Sequence, residues 1–213
     1  MIIDTHCHLI SEKYGDLAQL RAESLELGVG HCISQGTHPQ DWDGTLELAR
    51  RWPDFVSPCL AIHPSDCTNV CEEDWTRMVG LCRSNPLAAI GEAGLDYYWD
   101  APEGWSEDAY RARQRMFLER HFELAKELGL NISIHTRDKV GQGSACFDDA
   151  VAIARNFPGV RPVFHCFIGS REQATTLFDE LDGMISFTGL ITFKKTEAVQ
   201  DVAAWCQADR LMV

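Results

Sequence analysis

The amino-acid sequence predicts an α/β protein folded as a (β/α)8, or TIM-type, barrel. Apolar strand-like runs alternate with amphipathic helix-like segments along the chain. About seven such pairs fit into the 213 residues, and an eighth apolar run begins at the end. Strict alternation favours a parallel sheet, and seven or more units fit a barrel better than a shorter doubly wound sheet. The doubly wound sheet is the alternative.

The predicted strands are short apolar runs bounded by turn residues. They cover 1–9, 31–36, 55–63, 87–96, 130–137, 160–167, 183–189 and 210–213. Pro58 counts against the third run, because proline cannot donate a hydrogen bond to a neighbouring strand.

The predicted helices repeat their apolar residues at a spacing of three to four. They cover 16–28, 44–52, 72–82, 106–129, 146–157, 170–181 and 196–206. The longest has Ser106 as its N-cap and Gly129 at its end, and Ser170 and Gln173 are spaced as a capping box. No repeat, low-complexity segment or linker divides the chain, so we expect one domain over 1–213.

Composition limits the functions that the chain can have. The net charge of −13 gives no global attraction to a phosphate backbone, so any attraction to nucleic acid has to be local. We expect no membrane span and no secretory signal, because no stretch has the required apolar pattern. Nine cysteines without a CxxC pair favour reduced thiols, and therefore a cytoplasmic protein.

Five of the eight histidines fall at the carboxyl ends of predicted strands. They are His6, His8, His63, His135 and His165. The carboxyl end of the strands carries the active site in (β/α)8 barrels. Glu92 ends the apolar run "LAAIGE", where a buried carboxylate is unfavourable unless it is paired or bound to a cation. We therefore interpret His135 and His165, with Glu92, as ligands of a metal site.

The pair His6 and His8 fits the same interpretation. Side chains alternate along a strand, so the two imidazoles face one way, with Asp4, and Cys7 faces the other. Alone, such a pair is more often incidental than functional. Four further ligand-type residues at other strand ends reverse that balance.

Other residues near the strand ends suggest substrate contacts. His63 can be a metal ligand, a hydrogen-bond donor within the site or a substrate contact, and we favour the last two. Asp96 can orient a ligand histidine, with a role in backbone hydrogen bonding as the equal alternative. Arg137 and Lys194 are candidates for binding a phosphate. The aromatic run 97–99 can stack on a base, with core packing as the alternative for one or two of its residues.

Together these residues resemble the TatD-related family of metal-dependent deoxyribonucleases, within the amidohydrolase-like barrels. The matching stretches are "IDTHCHL", "AIHP", "IGEAGLDYYW", "ISIHTRD", "FHCFIGS" and "ISFTGLITFK", in the family's order over nearly the whole chain. Each stretch is weakly specific, whereas the set is highly specific. The resemblance implies hydrolysis of DNA phosphodiesters at ends or in single strands, often as a 3′-to-5′ exonuclease.

The resemblance also implies two divalent metal ions. It places His6 and His8 on one ion and His135 and His165 on the other, with Glu92 bridging them. Mixed histidine and carboxylate ligands suit Zn, Mn, Ni or Fe, and suit Mg more weakly. Such ions would activate a water molecule and make the pocket cationic within an acidic protein.

The chain departs from the family's pattern at its end. The family carries one more aspartate ligand at the end of the eighth strand, whereas this chain ends at "DRLMV". The resemblance therefore implies a barrel truncated at the start of strand 8, with a weakened first metal site. Two alternatives stay open: a hydrolase of a small ester, amide, lactone or aminoacyl ester of RNA, and a degenerate metal-binding scaffold. A monomer is favoured, although the sequence does not determine the oligomeric state.

Overall fold

The structure, a computed structural model, describes residues 1–10, 14–139, 141 and 143–213. Its eight strands form one sheet in the order β1 to β8, and every neighbouring pair is parallel. The strands are β1 Ile2–Cys7, β2 Val29–Gly36, β3 Val56–Leu60, β4 Ala89–Asp96, β5 Ile132–Arg137, β6 Pro162–Phe164, β7 Met184–Ser186 and β8 Leu211–Met212. This order differs from that of a doubly wound sheet, whose sequence-adjacent strands are not all neighbours.

The sheet curls into a nearly closed barrel, which confirms the predicted fold class. Thr5, in β1, donates two hydrogen bonds to the carbonyl oxygen of Val213, which follows β8. The amide donates at 2.7 Å and the hydroxyl at 2.8 Å. The two ends of the sheet therefore meet, and the hydrogen bonds between them involve Thr5 and Val213.

Among the described residues, seven α-helices alternate with the strands. They are α1 Leu17–Glu26, α2 Trp42–Arg51, α3 Glu72–Ser84, α4 Glu107–Leu128, α5 Ala145–Ala154, α6 Arg171–Leu181 and α7 Glu197–Trp205. The predicted caps are present: Ser106 Oγ accepts from the Ala109 amide, and Ser170 forms a capping box with Gln173. No helix among the described residues has the length and apolar character needed to cross a membrane.

The core lies inside the barrel and between the barrel and its helices. Its fully buried side chains include Ile90 and Ile132 from the strands and Trp42, Leu118 and Phe122 from the helices. A second, smaller apolar cluster packs β1 and β2 against α1 and α2. Each buried side chain of this size stabilises the fold by about 1.5–3 kcal/mol through the hydrophobic effect.

Candidate active site

The chemistry-bearing side chains meet at the carboxyl end of the barrel. They come from β1, the turn after β3, β4, β5 and the residue after β6: His6, His8, His63, Glu92, His135 and His165. Parallel neighbouring strands bring these positions to one edge of the sheet. Glu92 differs from the expectation in one respect, because it lies in the middle of β4 and the strand continues to Asp96.

Glu92 is the centre of the cluster and is only 3% exposed. Its Oε2 atom lies 3.1 Å from His6 Nε2 and 3.2 Å from His8 Nε2. Its Oε1 atom lies 2.9 Å from His135 Nδ1 and 2.6 Å from His165 Nε2. Burial opposes ionisation, but the charge of His165 and hydrogen bonds from the imidazoles outweigh it and hold the pKa of Glu92 well below its ordinary value. Glu92 is therefore a carboxylate.

Asp96 orients His135. Its Oδ2 atom lies 3.1 Å from His135 Nε2, and its Oδ1 atom accepts from the Tyr98 amide. With its Nε2–H donated to Asp96, His135 directs its Nδ1 atom at Glu92 and at His165 Nε2, 3.2 Å away. Burial opposes the charged imidazolium, yet the hydrogen bonds to Asp96 and Glu92 raise the pKa of His135 to about 9.

Two residues that the sequence did not single out hold Asp96 in place. Gln114, fully buried on α4, accepts from the Asp96 amide at 2.7 Å and donates to its carbonyl oxygen at 3.1 Å. Gly94 has φ +151°, and a Cβ there would lie 2.0 Å from the His135 carbonyl oxygen. Glycine thus allows β4 to approach β5 closely beside the site. The sequence could have indicated Gln114, because it is a polar residue on the side of α4 that faces the barrel.

A hydrogen bond to Nδ1 determines which nitrogen of His63 faces Glu92 with a proton. Its Nδ1 atom accepts a hydrogen bond from the Ser65 amide at 3.2 Å. The neutral ring therefore carries its proton on Nε2, which lies 3.5 Å from Glu92 Oε1. This geometry supports the prediction that His63 is a donor to substrate or to Glu92, and Ser65 is the orienting residue that sequence reasoning missed.

The residues fit a divalent cation. Ligand atoms converge within 4.8 Å in two groups that share Glu92: one with His6 and His165, the other with His63 and His135. The His6 and His165 rings stack at 3.8 Å, and the Nδ1 atom of each is buried without a hydrogen-bond partner among the described residues. Several imidazoles around one carboxylate form a donor set for Zn, Mn, Ni or Fe.

The grouping by distance differs from the pairing that the family resemblance implies. His6 lies with His165 rather than with His8, whose side chain is 46% exposed. The distribution of ligands between two ions, and the ligand roles themselves, stay predictions.

A cavity of about 360 Å³ opens beside His135 and His165. Arg137 and Tyr98 line it, and the Arg137 guanidinium lies 3.9 Å above the Tyr98 ring. The stacked guanidinium keeps its edge N–H donors free for an anion. Lys194 lies in the exposed segment after β7, and no described residue forms an ion pair with it.

The aromatic run 97–99 has three different environments. Tyr97 is buried and its hydroxyl donates to Asp149 Oδ2 at 2.7 Å, so it packs in the core. Tyr98 lines the cavity, and Trp99 is 55% exposed. Two of the three residues are therefore available for stacking.

The arginines of α4 are already engaged within the protein. Their partners are Glu107 for Arg111, the Cys67 and Val70 carbonyl oxygens for Arg113, Asp149 for Arg115 and Glu72 for Arg120. These cations do not form a free basic stripe, so an anionic substrate has to be attracted by the site itself.

Comparisons with known proteins agree with this geometry. The family model of TatD-related DNases matches residues 3–213. An uncharacterised metal-dependent hydrolase of Bacillus subtilis, YabD, is 30% identical over all of this chain and 78% of its own length. A 3′-5′ ssDNA/RNA exonuclease, TatD of Edwardsiella piscicida, is 29% identical over 81% of this chain and 59% of its own.

Among solved structures, the TatD homologue YjjV of Escherichia coli aligns with 99% of this chain and 76% of its own. The TM-score is 0.84 and the sequence identity 25%. The resemblance first noted in the sequence is thereby confirmed. The chain belongs to the TatD-related DNase family and is a metal-dependent hydrolase of that family.

Proposed function

We propose that the protein hydrolyses phosphodiester bonds of DNA, removing nucleotides from 3′ ends of single strands with two bound divalent cations. The observation that carries this proposal is the buried Glu92 carboxylate, surrounded by imidazole nitrogens within 3.5 Å, beside a cavity that contains Arg137. The E. piscicida relative, named as an exonuclease of this polarity, supports the choice of substrate.

In the proposed mechanism, the ions would be held by His6, His8, Glu92, His135 and His165. Bound divalent cations would lower the pKa of a water molecule and offset charge on the phosphoryl oxygens. Asp96 accepts the Nε2–H of His135 and so leaves Nδ1 as the atom that would hold an ion once its proton is lost. Glu92, as a carboxylate, fixes the spacing between the two groups of histidines.

The substrate contacts follow from the cavity. Arg137 can donate two parallel hydrogen bonds to one phosphate while its face stays on Tyr98. His63 can donate from Nε2 to a phosphate oxygen, and exposed Trp99 offers a face to a base. A cavity of about 360 Å³ accepts a terminal nucleotide better than a duplex. A monomeric state, a cytoplasmic location and phosphate binding by Lys194 stay part of the prediction.

A second candidate is hydrolysis of a small ester, amide or lactone at the same site. The net charge of −13 favours it, because such substrates need no attraction to a polyanion. Hydrolysis of an aminoacyl ester of RNA and a scaffold role are the remaining alternatives. Both enzyme candidates use Glu92 and the histidines, so a panel of substrates separates them.

The test uses the purified chain with added Mn²⁺ or Zn²⁺. We expect a 5′-labelled single-stranded oligonucleotide to shorten stepwise from its 3′ end, and EDTA to stop the reaction. Glu92→Gln should lower the rate by about 10³-fold or more, because a neutral amide would hold divalent cations much more weakly than a carboxylate. Glu127→Gln, which changes an exposed partner of Arg83, serves as the control. Turnover of esters or lactones without DNA cleavage would contradict the nuclease proposal. Full activity of Glu92→Gln would contradict both candidate functions.

A further inference from the structure

A second cluster of ligand-type side chains lies apart from Glu92, between β1 and β2. The Cys7 and Cys32 thiols and a carboxylate oxygen of Asp4 all lie within 4.8 Å of one another. Among the described residues, no other cysteine belongs to such a group of three. The cluster is half-buried at Asp4 and Cys7 and buried at Cys32.

An irregularity in β1 creates this cluster. Asp4 pairs with Cys32 and Cys7 pairs with Ser34, so three steps along β1 match two steps along β2. Under strict alternation Asp4 and Cys7 would face opposite sides of the sheet. The extra residue of the bulge lets the Asp4 carboxylate and the Cys7 thiol meet on one side, above Cys32.

We propose that Asp4, Cys7 and Cys32 bind one thiophilic divalent cation, such as zinc, independently of the Glu92 centre. Two thiolates select zinc or a related soft ion, and the carboxylate supplies a third ligand. Tetrahedral zinc with Zn–S bonds of about 2.3 Å places two sulfurs ~3.8 Å apart, which is within the 4.8 Å that bounds the spacing of the ligand atoms here. Binding releases the two thiol protons to solvent.

The surroundings allow an ion to enter. Asp4 also lines an open groove of about 480 Å³ beside β1 and β8. Cys32 packs beside Leu48 and Phe55 in the smaller apolar cluster, and that shell would exclude competing water from the sulfur ligands. Packing explains Cys32, and one carboxylate oxygen of Asp4, Oδ1, accepts a hydrogen bond from the His6 amide at 3.0 Å. The other carboxylate oxygen has no hydrogen-bond partner among the described residues and remains for an ion.

Occupation of this site would act on the active site through the backbone. Cys7 stands between His6 and His8, so an ion held by its thiol would fix the bulge of β1. The two histidines would then be held in register with Glu92. In this role Asp4, Cys7 and Cys32 are positioning residues.

The test is a Co²⁺ titration of the reduced full chain, followed by absorption in the near ultraviolet. Cobalt bound to thiolates gives an intense sulfur-to-metal band that histidine and carboxylate ligands do not give. We expect the band in the wild type and in Glu92→Gln, its loss in Cys32→Ser, and its retention in Cys82→Ser, which changes another buried thiol. Asp4→Asn should keep the band but weaken the affinity about tenfold.

Several outcomes would overturn the proposal. One is the absence of the band in the wild type, and another is a band that survives in Cys32→Ser. A third is a thiol titration of the wild type that finds two thiols too few, which would show a Cys7–Cys32 disulfide. If Cys32→Ser fails to fold, X-ray absorption of the zinc-loaded wild type decides, because the proposal requires sulfur at about 2.3 Å. None of these readouts depends on DNA cleavage, so the nuclease proposal can fail separately.

Discussion

The β4–β5 side of the barrel and the seam between β8 and β1 are built very differently. Seven of the eight residues of β4 are buried, and the 22-residue helix α4 covers this side. At the seam, β8 has two residues, both half-buried, and Ile2 and Ile3 of β1 are 49% and 43% exposed. A groove of about 480 Å³ lies beside the hydrogen bonds that join the two strands there, and residues of both strands line it.

The candidate active site draws on both regions. Glu92, Asp96 and His135 stand on the well-packed side, whereas His6 and His8 stand on and after β1 at the seam. Burial and hydrogen bonding therefore fix one part of the site before any ion binds. The seam part has less support from packing, so a cation held by His6 and Glu92 would stabilise β1 as well as bind substrate.

The largest expected difference between the regions is in stability. Ile132 and Ile2 are each the first residue of a strand, but Ile132 is fully buried and Ile2 is half exposed. Ile132→Ala should lower the free energy of unfolding by about 2–5 kcal/mol, because it removes buried atoms and leaves a cavity. Ile2→Ala should lower it by less than about 1 kcal/mol. Urea unfolding of both variants is the measurement, and equal losses would break the comparison.

Acid should weaken the well-packed side through His121. This histidine is fully buried on α4; its Nε2 atom accepts from the Ile62 amide and its Nδ1–H donates to the Phe117 carbonyl oxygen. Burial is the main cause that lowers the pKa of His121 from 6.5 to about 4, and the charge of Arg120 adds to it. Its neutral form is therefore part of the packing that links α4 to the segment after β3.

The sign of the pH dependence follows from the lowered pKa. As pH falls from about 6.5 to 4, the unfolded chain binds a proton that the native state does not bind. The free energy of unfolding should then fall by about 3 kcal/mol over this window and show no contribution from His121 above it. Urea unfolding between pH 7.5 and pH 4 should give a flatter profile for His121→Gln than for the wild type. Parallel profiles would show that His121 is not the group responsible.

Much of the fold could be predicted because its signals are local. Apolar periodicity, the Ser106 and Gly129 caps and the Ser170 capping box fix where the helices begin and end. The fourth strand was predicted over 87–96 and lies at Ala89–Asp96, whereas Glu92 was expected at a strand end and lies in the middle of the strand. Leu95 continues the apolar pattern into the core beyond this charged residue.

The parts of the site that could not be predicted depend on contacts between distant residues. Gln114 reaches Asp96 from another element, and no local pattern marks that pairing. Alternation placed Asp4 with the histidines, but the bulge of β1 brings its carboxylate to Cys7 and Cys32. A bulge depends on how two strands pair, so a single strand's sequence does not reveal it.

A substitution of Asp96 tests whether this residue, on the well-packed side, orients His135 for metal binding. Asp96→Asn keeps the shape but can present an amide N–H to His135 Nε2, which would favour the wrong tautomer. We expect metal affinity to fall about 10–100-fold, with a change in the free energy of unfolding smaller than that of Ile132→Ala. Calorimetric titration with Mn²⁺ measures the affinity, and Asp100→Asn, an exposed partner of Lys139, is the control. Unchanged affinity would remove Asp96 from the proposed site.

The seam should give the smallest effect and the most local one. Thr5 Oγ1 donates to the Val213 carbonyl oxygen at 2.8 Å in an exposed position, so Thr5→Val should cost about 1 kcal/mol or less while the branched side chain preserves the strand. Amide hydrogen exchange resolves such a change better than unfolding does. We expect faster exchange at the amide of residue 5, which bonds across the seam, and at that of Phe187, which bonds to Met212 of β8, and no change at the amide of His165, which bonds to Ile134 of β5. If His165 also exchanges faster, the two regions open together and the seam is not a separate unit of stability.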